Sequence, residues 1–373
     1  MSDAIKWPVC DQKGYYMSYK SWTGRWQNYW RNNKPSSIKT LYDLFTTKNE
    51  NGGFDDADID THLQIVPPYW LEKEHEKKVK GDTKHCVGSG IRATWLGHAS
   101  VLAEIDGLNV LCDPIFSNYT GCEHVPKSVL DRITVAFKRY RDPPCTVDEL
   151  PDNIDAVIIS HTHYDHLDSY SVEKLHSRYA NSIHWYVPKD TISFFRYYGI
   201  SDENIHEMVW WEEAELKGAK IIFTPSNHYS NRGALDMNKA LWGSFAVIGQ
   251  QGNRFWFGGD TAYCDVFKQI GKKLGPFQLS AIPIGAYAPR ETLKYNHVDP
   301  EEAIQIHHEI RSEISFGIHW GTFHLGATEH YLEPKVKIEQ ARLDHGKSDD
   351  GDDNLRFYIT SVGGTQEGKT LLK

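Results

Sequence analysis

Six cysteines in 373 residues, none paired as C-x-x-C, leave too little sulfur for a disulfide framework. That scarcity points to a reducing compartment. No run approaches the ~20 apolar residues of a spanning helix. The first thirty residues hold no apolar block of the kind a secretory signal carries. The chain is expected to be intracellular, either a soluble cytoplasmic protein or a peripheral one on the cytosolic face of membranes. Cations are also scarce, with 41 Lys and Arg against 50 Asp and Glu and a formal net charge of −9. Gripping a phosphate backbone requires clustered Lys and Arg, so general nucleic-acid binding is excluded. With 40% hydrophobic and 24% charged residues, the composition is that of an ordinary globular protein, long enough for one large domain or two smaller ones.

Histidine, by contrast, is concentrated. The apolar run Ala156-Val157-Ile158-Ile159-Ser160 reads as a strand, and it leads directly into His161-Thr162-His163-Tyr164-Asp165-His166. Four of those six residues bind divalent metals as neutral imidazole or carboxylate. His161 and His163 lie two apart, so on extended backbone they face the same side. Three further ligand types each follow a short apolar run: His228 after Ile221 to Phe223, Asp260 after Phe255 to Phe257, and His319 after Ile314 to Ile318. Strand ends at one sheet edge are where a rigid scaffold presents chemistry. Gly258 and Gly259 precede Asp260, where a close backbone approach is expected. Cys112 and Cys264 read as buried packing residues. His98, in Gly97-His98-Ala99-Ser100, reads as a structural hairpin residue.

The spacing H-x-H-x-D-H, with a later His, Asp and His, resembles the metallo-β-lactamase superfamily. More of the chain resembles one branch of it, the N-acylphosphatidylethanolamine-hydrolysing phospholipase D family. The segments concerned begin at Asp113-Pro114-Ile115-Phe116-Ser117, Pro225-Ser226-Asn227-His228, Leu241-Trp242-Gly243-Ser244, Ala281-Ile282-Pro283-Ile284-Gly285, His297-Val298-Asp299-Pro300 and Ile318-His319-Trp320-Gly321. The likeness runs from about residue 15 to about residue 345.

The resemblance implies an α/β, four-layered αββα fold with two zinc ions per chain. It puts His161, His163 and His228 on one ion, Asp165, His166 and His319 on the other, and Asp260 between them. Asp113 would orient a ligating histidine through its ring N–H. Tyr164 and His297 would contact the substrate phosphate. Asn296 stands where the family is expected to carry Gln, and the segment from Asn118 to Arg141 also departs from the pattern. The implied substrate is N-acylated phosphatidylethanolamine, cleaved at phosphorus to an N-acylethanolamine and phosphatidic acid. The implied assembly is a homodimer at a membrane surface. A lactonase or another phosphodiesterase of the superfamily is the alternative. A lipid-binding scaffold on a dead hydrolase fold fits less well with an intact ligand set.

Residues 1–90 form an aromatic-rich extension and 91–373 the catalytic domain. Trp22, Trp26 and Trp30 recur every fourth residue beside Lys20, Arg25 and Arg31. On a helix they form one stripe, either packed on the core or facing a membrane. Ile38 to Phe45 reads as a short helix, Asn49 to Asp60 as a loop and Glu72 to Lys80 as a solvated helix face. From residue 91 the pattern turns strand-rich, with an Asp106-Gly107 hairpin signal. Helices are expected at Ser169 to Tyr179, Thr191 to Tyr198 and Pro300 to Glu309. Residues 346–353 read as a loop, and Leu355 to Thr360 as the last strand.

Overall fold

The computed structural model describes residues 56–72, 90–121, 138–233, 235–323, 327–345 and 355–368. The tryptophan stripe, the expected helix at 38–45, the loop at 346–353 and most of 72–80 lie outside these residues, as do Cys10, Cys86 and Cys122. Residues 56–60, expected as loop, belong to helix α1 (Asp56–His62). Its acidic sequence hides one apolar pair four residues apart, Ile59 and Leu63, and both are buried in the core.

Alternation of side chains builds the first sheet. β1 (Ile91–Gly97), β2 (Ser100–Ile105) and β3 (Leu108–Cys112) form an antiparallel meander, turned at Asp106-Gly107 with φ of 52° and 87°. Val101, Ala103, Val110 and Cys112 enter the core between the sheets, while Leu102 and Leu111 face the opposite way, under helices. This is the period of two that a strand buried on both faces requires. β4 (Ala156–Ile158), β5 (His184–Pro188) and β6 (Ile205–Met208) extend the sheet in parallel. The crossovers are α2 (Ser169–Tyr179) and α3 (Ile192–Tyr197). Val172, Leu175 and Phe195 of these helices cover the outer face of the sheet.

The second sheet repeats the plan. β7 (Glu213–Leu216), β8 (Ala219–Thr224), β9 (Ser244–Ile248) and β10 (Arg254–Phe257) are antiparallel, and β11 (Leu279–Pro283), β12 (Ser315–Ile318) and β13 (Phe357–Tyr358) continue in parallel. Its outer face is covered through α4 (Val266–Leu274), α6 (Pro300–Glu309) and α7 (Glu333–His345), with the single turn α5 (Arg290–Leu293) between α4 and α6. Asp299 caps α6, accepting from the Glu302 amide at 2.9 Å, and Pro300 takes the first helical position. Two seven-stranded sheets between helical layers make the four-layered α/β fold.

The expected last strand is shorter than predicted and is not the last. After β13 the chain crosses back, and β14 (Thr365–Glu367) pairs with β1 at the edge of the first sheet. Its three polar residues carry no apolar alternation, so nothing in the sequence marks it. Among the described residues no disulfide occurs, and Cys112, Cys145 and Cys264 are buried. No described helix is long and apolar enough to cross a membrane.

Candidate metal centre

The chemistry-bearing residues leave the sheets at the C-terminal ends of strands. The loop after β4 carries His161, His163, Asp165 and His166, while Asp113 follows β3, His228 follows β8, Asp260 follows β10 and His319 follows β12. The two loops after β4 and β10 touch. A Cβ on Gly259, where φ is +55°, would lie 2.5 Å from Ser160 Cβ. Glycine is therefore required for Asp260 to reach the histidine motif. Three site residues, His98, Asp113 and His319, hold left-handed backbone with φ of 52°, 36° and 64°. Such conformations cost of order 1–3 kcal/mol each and persist where the surroundings enforce them.

Three ring nitrogens converge. His161 Nε2 lies 2.8 Å from His163 Nδ1, which lies 3.2 Å from His228 Nε2. The outer nitrogens fix which tautomers are present. His228 Nδ1 donates to the Asn296 carbonyl at 2.8 Å. His161 Nδ1 donates to Ser160 Oγ at 2.9 Å, and that hydroxyl donates onward to Asp113. The inward nitrogens of His161 and His228 consequently carry lone pairs directed at His163. A proton on His163 Nδ1 can be shared with only one of those lone pairs at a time, whereas a cation among the three nitrogens satisfies all of them. The spacings are close to the ~3.3 Å edge of a tetrahedron with metal–nitrogen bonds of about 2.0–2.1 Å.

A second group adjoins the first. Asp165 Oδ2 lies 3.5 Å from His166 Nε2 and 3.6 Å from His319 Nε2. Asp260 serves both groups. Its Oδ2 lies 3.1 Å from His166 Nε2, 3.6 Å from His228 Nε2 and 3.7 Å from His161 Nε2, and its Oδ1 lies 3.1 Å from His319 Nε2. Asp113 accepts from His166 Nδ1 at 2.7 Å, turning Nε2 inward. The buried His166 Nε2, His319 Nε2 and Asp260 Oδ1 make no well-aligned hydrogen bond among the described residues beyond these histidine–carboxylate approaches. Buried orphans of this kind are costly unless something else satisfies them. The donor set therefore fits two divalent cations sharing one carboxylate.

The charge states agree. Burial, reinforced by the neighbouring imidazoles, pushes His161 well below the usual histidine range, and burial brings His163 down to about 4. Burial disfavours charge at His166 and His319 as well, but the carboxylates of Asp260 and Asp165 outweigh it. They hold His166 well above the usual range and raise His319 to about 9. Both shifts favour the protonated form of these histidines in chelator-stripped protein, as partners of the carboxylates. A ligating nitrogen must be deprotonated, so metal uptake expels those protons. Calorimetric metal titration in buffers of differing ionisation enthalpy should report about two protons released per pair of ions. Zero release would mean that the two histidines are already neutral in the stripped protein.

Of the remaining sequence candidates, His297 sits against the centre, with Nδ1 3.9 Å from Asp260 Oδ2 and no hydrogen bond. Asn296 contributes its carbonyl to His228. Tyr164 lines a cavity of about 740 Å³ with Thr162, Phe194, Tyr197, Tyr198 and Arg232. The Arg232 guanidinium stacks 4.3 Å over the Tyr164 ring and donates to the Leu167 carbonyl at 2.6 Å. Two residues escaped the sequence reading. Tyr229 packs edge-on to His163 at 4.4 Å, and adjacency to His228 was its only signal. His98, assigned to the hairpin turn alone, places Nε2 2.8 Å from Asp165 Oδ2.

A four-layered α/β fold with a His/Asp centre at its sheet edge defines a hydrolase of the metallo-β-lactamase type. The sequence profile of the beta-lactamase superfamily domain matches residues 108–320. N-acyl-phosphatidylethanolamine-hydrolyzing phospholipase D 1 of Caenorhabditis elegans is 42% identical over 68% of this chain and 70% of its own length. The mitochondrial N-acyl-phosphatidylethanolamine-hydrolyzing phospholipase D of Saccharomyces cerevisiae is 34% identical over 89% of this chain and 68% of its own. A solved metallo hydrolase from the archaeon Ignicoccus hospitalis superposes with a TM-score of 0.52 over 75% of this chain and 99% of its own, at 19% identity, a likeness of fold. The chain belongs to the N-acylphosphatidylethanolamine-hydrolysing phospholipase D family. It is an enzyme, a metal-dependent phosphodiesterase.

Proposed function

We propose that this chain hydrolyses N-acylated phosphatidylethanolamine to an N-acylethanolamine and phosphatidic acid, using two zinc ions. The observation that carries the reading is the shared carboxylate of Asp260 between two imidazole groups, in a member of this family. His161, His163 and His228 would hold one ion, and Asp165, His166 and His319 the other. Two such cations lower the pKa of water toward ~7 and offset the charge of a phosphodiester, so no protein nucleophile is needed.

The chain's own groups supply orientation. Asp113 fixes His166 directly and His161 through Ser160. His297, brought down to about 4 chiefly by burial, is neutral at pH 7. Its unpaired Nδ1 is available to a phosphoryl oxygen or to the departing alcohol. The aromatic cavity beside Tyr164 offers room for an acyl chain. Tyr197 and Leu235, near its mouth, are 78% and 83% exposed, and Tyr170 and Met237 join them among the exposed large apolar residues. A substrate with several acyl chains does not leave a bilayer at about 0.8 kcal/mol per methylene, so the mouth must meet the membrane. Our reading therefore includes peripheral docking at that rim, with the tryptophan stripe of residues 22–30 as a second contact, and a homodimer that presents both surfaces twice.

Hydrolysis in water enriched in heavy oxygen tests the bond cleaved. The label is expected in phosphatidic acid, because water adds to phosphorus. Label in the N-acylethanolamine would mean carbon–oxygen cleavage and a different reaction. No release of either product from the N-acylated lipid would remove the substrate assignment.

A further inference from the structure

His98 lies at the tip of the β1–β2 hairpin, next to Gly97, whose φ is 99°. It is 1% exposed, and its backbone is bound from two directions. The His98 amide donates to Thr322 Oγ1 at 2.6 Å, and its carbonyl accepts from the His319 amide at 2.9 Å and from Trp95 Nε1 at 2.7 Å. The hairpin of the first sheet is thereby joined to the loop after β12 of the second. The ring packs 4.1 Å from that of His319, and the Phe323 ring meets it edge-on at 5.3 Å. Arg139, itself buried, lies over the other side of Phe323 at 5.0 Å. With the ring enclosed in this way, His98 Nε2 is set 2.8 Å from Asp165 Oδ2. An ionised carboxylate only accepts, so His98 is the donor.

We infer that His98 is a positioning residue: it holds the Asp165 carboxylate toward His166 and His319, and so maintains one half of the centre without contacting substrate. The inference rests on the two-ion reading above. Two geometric facts favour this role over a turn residue alone. The turn at this φ is met by Gly, Asn or Asp as readily as by histidine, so the backbone alone does not call for an imidazole. Its only side-chain hydrogen bond among the described residues goes to a member of the centre. Outer partners of this kind are worth roughly 10- to 100-fold in metal affinity.

The test separates turn from donor. His98→Asn keeps a residue that tolerates left-handed backbone, but its amide is too short to reach Asp165. His98→Gln restores an N–H at about the reach of Nε2. Chelator-stripped wild type and both variants are titrated with zinc, and bound metal is counted by elemental analysis. Wild type is expected to take two ions. His98→Asn should hold one as tightly as wild type and the other roughly 10- to 100-fold more weakly, with His98→Gln recovering most of the loss. Thermal unfolding of the stripped variants should move little between Asn and Gln, because both leave the turn intact. Two ions bound at wild-type affinity by His98→Asn would overturn the role of His98 alone. Equal weakening of both ions, or Gln no better than Asn, would reduce His98 to a general structural residue. Fewer than two ions in wild type would bring down the two-ion centre, and this inference with it.

Discussion

Asp260→Asn is expected to lower turnover by roughly 10³-fold or more while leaving a folded protein. One carboxylate here faces four imidazole nitrogens, at 3.1 to 3.7 Å, and is almost wholly buried. An amide retains the shape but loses the charge and one acceptor. It also directs N–H groups at lone pairs that would otherwise bind metal. Both halves of the centre suffer, because the carboxylate touches imidazoles of each. The check is kcat of purified protein with unchanged circular dichroism, alongside a metal count. Near-normal kcat would show that this carboxylate is not at the reacting centre.

Complete removal of metal is expected to abolish activity, and stoichiometric divalent zinc to restore it. Stripping also costs stability, because it leaves the inward nitrogens of His161 and His228 with at most one N–H, that of His163 Nδ1, to share between them. A ligand that binds only the folded state stabilises by mass action, about 4 kcal/mol at a thousandfold excess over Kd. Tm should therefore rise steeply on adding zinc back, in step with activity. Full activity in protein that elemental analysis shows to be metal-free would exclude the proposed chemistry. Recovery with manganese or iron but not zinc would revise the metal and keep the centre, since imidazole-rich sites accept several ions.

The residues that gather at the candidate centre were legible because their chemistry is rare and local. His161 to His166 lie within one turn of chain, and His228, Asp260 and His319 each follow an apolar run that the fold resolves as β8, β10 and β12. The helices over 169–179 and 300–309 were legible from periodicity and, for the second, from Asp299-Pro300. What the sequence hid is what depends on distant contact. His98 is 67 residues from Asp165, and nothing near it signals metal chemistry. The cavity beside Tyr164 combines chain from α3 with the loop at Arg232. β14 is three polar residues whose only reason to be a strand is the free edge of β1. Residues 56–60 look like an acidic loop until Ile59 and Leu63 find the core.

That edge pairing also joins distant parts of the described chain. Thr94 and Thr365, joined through their hydroxyls at 2.7 Å, are 271 residues apart, and the Trp95 amide is bound by the Gly364 carbonyl. β1 leads directly to the turn that carries His98. A chain made from its N-terminus exposes β1 early and leaves it without its outer neighbour until nearly all the described sequence has left the ribosome. Closing so long a loop is entropically slow, and an open strand edge invites foreign partners meanwhile. The hairpin that carries His98 is thus held from both ends of the described chain: by β2 and the loop after β12, and along its outer edge by β14.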